Sequence, residues 1–156
     1  MSDTHLDVPV AEPCAFCAYL RGERPYTVLF RSAEVAVLVT REQRGIGHLL
    51  VLPVQHRETL LDLNQVERHS IIDWLSVAGD AIDITFQRPG ISVWQNNGTE
   101  AHQAIPHFHF HIAGTLGGGG TDFGDVAEVS ISETDAIAMT IRSAVGVDFP
   151  ERSERL

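Results

Sequence analysis

A chain of 156 residues, 44% of them hydrophobic, can pack one domain or one subunit of a small symmetric oligomer, and is too apolar to be disordered throughout. Its net charge of −10 comes with 11 arginines and no lysine, which argues against long nucleic acids as partners, since these are bound by neutralising phosphates on a basic surface. A small phosphate-bearing ligand remains compatible, and its chemistry would fall to histidines, amides, arginines, backbone N–H groups or a metal. No apolar run approaches the roughly 20 residues of a membrane span, and the polar, acidic start lacks a signal-peptide layout. A cytoplasmic location, no membrane partner and no organic cofactor are therefore expected.

Residues 1–12 read as a loose tail, 13–149 as a single domain and 150–156 as a second tail. Cys14–Glu23 suggests a short helical turn, closed by Gly22 and Pro25. Tyr26–Phe30 and Glu34–Thr40, rich in β-branched and apolar residues, predict a hairpin around Arg31-Ser32-Ala33. His48–Leu52 is a continuous apolar run, as in a central strand buried on both faces, and Pro53 ends it. Asn64–Gln87 is the long helix: Ile71, Leu75, Ala78, Ile82 and Phe86 recur at steps of three and four before Arg88-Pro89-Gly90 stops it. Ile91–Gln95 and His107–Ala113 predict two further strands. Leu116–Gly124, with four consecutive glycines, reads as a flexible loop. Ser132-Glu-Thr-Asp135 resembles a capping box opening a C-terminal helix that Gly146 stops. Mostly antiparallel candidates with segregated helices give an α+β fold.

The chemistry concentrates in Pro106-His107-Phe108-His109-Phe110-His111. In a strand the three imidazoles share one face, which would be accessible, while Phe108, Phe110 and Ile112 face the core. A merely polar, histidine-rich strand face is the plainest reading. One metal held by all three is disfavoured, because at about 3.3 Å per residue the outer α-carbons lie roughly 13 Å apart. Two of them could share a metal, catalytic or otherwise, leaving at least one imidazole for nucleophilic work. A neutral imidazole attacks phosphorus when one nitrogen is free and the other is held by a hydrogen bond. His109, flanked on both sides, has the best access to help. Gln95-Asn96-Asn97-Gly98 and Gln103 are sensible phosphate donors, or an ordinary Asn-Gly turn. Cys14 and Cys17 read as a metal half-site or a redox pair.

These residues resemble the histidine-triad (HIT) family, whose pattern His-φ-His-φ-His-φ-φ matches His107–Ala113. The resemblance runs from about Cys14 to Gly114 and includes Cys14-Ala-Phe-Cys17, Gly47-His48-Leu-Leu-Val-Leu-Pro53 with His56, and Asn96–Gln103. It implies an antiparallel sheet of about five strands with one long helix and a C-terminal helix. It also implies a homodimer paired through the long helix and a strand. His109 would be the nucleophile that forms a nucleotidyl-histidine, His111 the phosphate-contacting histidine, and His48 its neighbour-strand partner. Asn96 and Gln103 would contact phosphate or order the motif. The zinc-containing branch adds a structural zinc on Cys14, Cys17, His56 and His107, a closed Cys2His2 set. The implied activity is hydrolysis or transfer at the α-phosphate of a nucleoside phosphoramidate, mixed anhydride or dinucleoside polyphosphate. Thr40 stands where many members have a ribose-binding aspartate, and Ala104 where many have a phosphate-donating Ser/Thr. A nucleotide-binding module with little catalysis is the alternative that these departures favour.

Overall fold

The computed structural model describes residues 4–146 and 149; the tail expected at 150–156 lies outside them, as do residues 1–3. In chain order the elements are α1 (Ala15–Leu20), β1 (Thr27–Arg31), β2 (Val35–Val39), β3 (Ile46–Pro53), α2 (Gln65–Phe86), β4 (Ile91–Trp94), β5 (Phe110–Gly114) and α3 (Ile131–Val145). The strands form one antiparallel sheet in the order β1-β2-β3-β5-β4. The fold is α+β, as the sequence suggested.

Strand alternation decides what covers each face of the sheet. Val35, Val37, Val39, Leu49 and Val51 belong to one core with Ile71, Ala78 and Ile82 of α2 and Ala138 and Ile141 of α3. Ala36, Leu38, Leu50 and Leu52 pack with Phe16 and Leu20 of α1. β2 and β3 are thus buried on both faces, which explains their unbroken apolar sequence.

Capping boxes start both longer helices. The Asn64 side chain accepts from Glu67 N–H at 2.8 Å while the Glu67 carboxylate accepts from Asn64 N–H at 2.9 Å. Glu67, 3% exposed, also holds Arg57 at 3.0 Å, fastening the helix start to the loop that carries His56. The box of α3 is formed by Ser130 and Glu133, two residues before the predicted Ser132–Asp135. The overlapping second pattern is diverted: Thr134 is buried and bonded to Thr27, which also donates to Asp135.

Two departures near the histidines matter more. The β3–β5 register shifts between Ile46 and Leu49, a bulge centred on Gly47 at φ +66°, where a β-carbon would run into the Phe86 ring. His48 follows it directly. The predicted strand His107–Ala113 joins the ladder only from Phe110. Pro53 ends β3 and has no N–H to offer, so the chain before Phe110 bonds elsewhere: Phe108 N–H donates to Arg57 O at 2.6 Å and His107 N–H to Ile105 O at 2.8 Å.

Candidate active site

Each imidazole has its tautomer dictated by a partner that can only donate or only accept. A carbonyl oxygen only accepts, so His109, 2.7 Å from His107 O through Nδ1, carries its proton there and keeps the Nε2 lone pair. The Arg44 backbone N–H only donates, and it reaches His48 Nδ1 at 3.1 Å. His48 therefore carries its proton on Nε2 and gives it to His111 Nδ1 at 3.0 Å. His111 is left with its N–H on Nε2. The His109 and His111 rings lie 4.8 Å apart, presenting one unshared lone pair and one uncommitted donor side by side.

Burial keeps this chain neutral. It pulls His48 down to about 3 and His111 down to about 2, and depresses His109 as well; neighbouring Arg44 and His109 add to the effect on His111. Gln43 supports His48: its carbonyl accepts from His48 N–H at 3.0 Å, and its amide donates to His48 O and Thr40 O at 3.0 and 2.7 Å. Gln43 and Arg44 had no role in the sequence reading. Arg44 acts on His48 through its main chain, which leaves no side-chain signature, and Gln43 acts through a side-chain amide within what reads as an ordinary turn.

His109 and His111 line a cavity of about 390 Å3, within the roughly 300–1,000 Å3 typical of small-molecule sites. Two aromatic walls flank them. Phe16 meets His109 edge-on at 5.0 Å and Tyr19 at 6.1 Å, and Tyr19 stacks on Tyr26 at 4.1 Å. On the other side Trp94 stacks parallel to His111 at 4.9 Å, and Phe123 meets Trp94 edge-on at 5.2 Å. Phe123 belongs to a strap, residues 121–129, laid across the turn before β3. Arg44 donates to Asp122 O and Gly124 O at 2.9 and 2.8 Å, and Arg41 donates to Val129 O at 2.8 Å. The exposed His102 reaches the cavity rim and His69 lies exposed on α2.

The two amides differ. Asn96 lines the cavity with no side-chain hydrogen bond among the described residues. Gln103 also lines it but is 4% exposed, and its polar atoms are spent inside the protein. It accepts from Gly98 N–H at 2.8 Å and donates to Glu58 O at 2.7 Å and Ile105 O at 2.9 Å. Its observed work is to hold the loops that lead into the histidine segment.

The expectation of three histidines on one accessible face needs correcting: His107 is 0% exposed. It lies before the ladder begins and turns into the α1 side. Its Nε2–H donates to Pro53 O at 2.8 Å, so the Nδ1 lone pair points at the Cys14 and Cys17 sulfurs, both 3.6 Å away. His56 Nδ1 lies 3.4 Å from Cys17 Sγ. All four donor atoms fall within 4.8 Å of one another, and the cysteines are unbridged. A tetrahedral ion with bonds of about 2.3 Å to sulfur and 2.0–2.1 Å to nitrogen sets sulfur and nitrogen roughly 3.5–3.6 Å apart. The four residues therefore fit a metal ion. Burial and the adjacent Cys14 push the Cys17 thiol up to about 11, while burial holds His107 neutral, down to about 4.

The fold and site together define an α+β protein with a paired-histidine relay on the wall of a small-molecule cavity, beside a four-residue cluster able to hold a metal. The chain belongs to the HIT domain family, whose model matches residues 21–117. It is 30% identical over 123 residues to an uncharacterized HIT-like protein of Methanocaldococcus jannaschii, covering 77% of this chain and 94% of that one. It is also 30% identical over 99 residues to the adenosine 5'-monophosphoramidase of Schizosaccharomyces pombe, covering 64% and 71%. A crystal structure of a HIT-like protein from Bartonella henselae superposes with a TM-score of 0.76 at 25% identity, over 86% of this chain and 98% of the other.

Proposed function

We propose that the chain is a nucleotide hydrolase or nucleotidyltransferase that cleaves a nucleoside phosphoramidate or dinucleoside polyphosphate at the α-phosphate. The observation that carries this reading is the pairing of the His109 Nε2 lone pair with the His111 Nε2–H on one cavity wall. His109 Nε2 attacks phosphorus, forming a P–N bond as the leaving group departs with its electron pair. His111 donates its Nε2–H as a hydrogen bond to the phosphate oxygens and keeps that proton, while the leaving group takes its proton from solvent. Water or a second acceptor then breaks the P–N bond, passing its own proton to solvent, and a nucleoside monophosphate is released. His48 holds His111 in the donating tautomer. Asn96 contributes amide donors to the phosphate, and Gln103 orders the motif. The phosphoramidase among the relatives supports this class of substrate. Steady-state turnover of adenosine 5'-phosphoramidate tests it. His109→Ala should lower kcat at least about a thousandfold with an unchanged circular dichroism spectrum, and activity within tenfold of wild type refutes the assignment.

We also propose that Cys14, Cys17, His56 and His107 hold a structural zinc, as in the zinc-containing branch of the family. The ion would pair both thiolates and tie α1 to the histidine segment, with no part in the reaction. Stoichiometric zinc in the purified protein, lost in Cys14→Ser, is expected; unchanged zinc in that variant rejects the ligand set.

The same reading takes residues 13–149 as one cytoplasmic domain acting as a homodimer. Support comes from the outer edge of β4, where Ile91 and Val93 are 39% and 47% exposed beside Ile72 of α2 at 56%. They line one shallow groove with Leu75 and Gly79, and an unpaired apolar edge strand invites a second copy. Among the described residues no helix is long and apolar enough to cross a membrane. Light scattering should return twice the chain mass for wild type and a monomer for Val93→Glu.

A further inference from the structure

The part of the cavity around Thr40, where the resemblance puts the ribose, lacks an obvious reader for paired donors. Thr40 lines it, but its hydroxyl is occupied: it accepts from Glu42 N–H at 3.3 Å and bonds the Tyr26 hydroxyl. Two carboxylates also line the cavity, Glu42 and Glu128. Glu42 is tied at 3.0 Å to Arg44, the residue that clamps the strap. Glu128 comes from the strap itself and lies beyond the stretch that matches the family model. Its side chain is 59% exposed, with one oxygen 3.2 Å from Arg41 and no second partner among the described residues.

Its position is well fixed. Arg41 and Val129 bond each other twice, Val129 N–H to Arg41 O at 2.9 Å and Arg41 Nε–H to Val129 O at 2.8 Å. Arg41 N–H also donates to the Tyr26 hydroxyl at 3.3 Å. A continuous path therefore runs from Glu128 through Arg41, Tyr26, Tyr19 and Phe16 to His109. Phe123 and Trp94 lie on the His111 side instead. The carboxylate thus belongs to the aromatic wall on the nucleophile's side.

We infer that Glu128 is a specificity-determining residue that accepts a pair of parallel donors from the nucleoside stacked on the Phe16–Tyr19–Tyr26 wall, taking the place that Thr40 cannot fill. The chemistry is that of one carboxylate receiving two hydrogen bonds, which a ribose cis-diol and the N1–H/N2–H edge of guanine both offer. Arg41 orients the carboxylate and the strap delivers it. The inference rests on the nucleotide reading proposed above.

The test measures binding of AMP, 2'-deoxy-AMP, GMP and 2'-deoxy-GMP to wild type and to Glu128→Gln, with kcat and KM for the matching phosphoramidates. Wild type should prefer its donor-pair ligand by roughly tenfold or more, and the neutral variant should erase that preference. A preference for ribose over deoxyribose identifies the diol; one for guanine over adenine identifies the base edge. The loss should fall on KM and leave kcat within about twofold, which a strap that merely collapsed would not reproduce. Glu128→Asp, keeping the charge, should restore part of the preference. If Glu128→Gln weakens all four ligands equally, or none, the inference is overturned. If wild type binds none of them, the nucleotide reading itself fails.

Discussion

His107 and His109 are two residues apart and of the same type, yet their ring nitrogens are used in opposite senses. His107 donates through Nε2 to Pro53 O and turns its Nδ1 lone pair to two sulfurs. His109 donates through Nδ1 to His107 O and keeps the Nε2 lone pair, on a ring that lines the cavity. The backbone acceptor decides which nitrogen is left over, and the surroundings of that nitrogen decide what it can do. One repeated motif thus offers one lone pair to a cysteine–histidine cluster able to hold a metal and leaves another on the cavity wall, the two proposed ends being joined by the single carbonyl of His107.

That contrast can be broken from either end. Removing metal acts on the first and should have the largest effect. If zinc occupies the cluster, chelation should cost at least about 3 kcal/mol, lowering Tm by roughly 6–12 °C in a chain of this size. Turnover by the protein that remains folded should persist at first, and an unchanged melting curve would remove the metal from the account. His111→Ala acts on the second end. Differential scanning should show a fall of a few degrees, because the buried His48 Nε2–H loses its acceptor, while kcat for a phosphoramidate falls by about 10²–10³.

The third prediction stays on the cavity side. His48 and His111 are held neutral, at about 3 and about 2, against an ordinary value of 6.5. Between these limits the unfolded chain binds more protons than the folded one, so stability rises with pH. Their contribution is complete above pH 6.5 and is lost as pH falls toward 3. Urea midpoints at pH 7 and pH 5 should therefore differ, lower in acid, and the difference should shrink in His48→Phe. Equal midpoints would mean that these rings are not buried neutral. Smallest in effect is Gln103→Ala, which leaves Gly98 N–H and Glu58 O without their partner at a cost of about 1–3 kcal/mol. Its urea midpoint should fall while zinc content stays unchanged.

The sequence disclosed the frame of this arrangement better than its details. The alternation of Phe108, Phe110 and Ile112 foretold which side faces the core, and the recurrence of Ile71, Leu75, Ala78, Ile82 and Phe86 marked the long helix. Hidden was the strand's late start at Phe110, because it depends on what Pro53 and Arg57 offer across space. The resemblance supplied His48 as the partner of His111, but the Arg44 N–H that sets its tautomer was invisible, being a main-chain group. The strap stayed hidden because Phe123 and Glu128 acquire meaning only once Arg41 and Arg44 draw that segment back over the cavity. Arginines without helical or strand periodicity give no such hint in sequence.

The division between His107 and His109 meets its most direct test in the covalent intermediate. The protein would be mixed with an activated adenosine phosphoramidate, quenched within a turnover, digested and sequenced by tandem mass spectrometry under conditions that preserve P–N bonds. A nucleotidyl group on His109, with His107 and His111 unmodified, is the predicted result. A label on either neighbour, or none during measurable turnover, would contradict it.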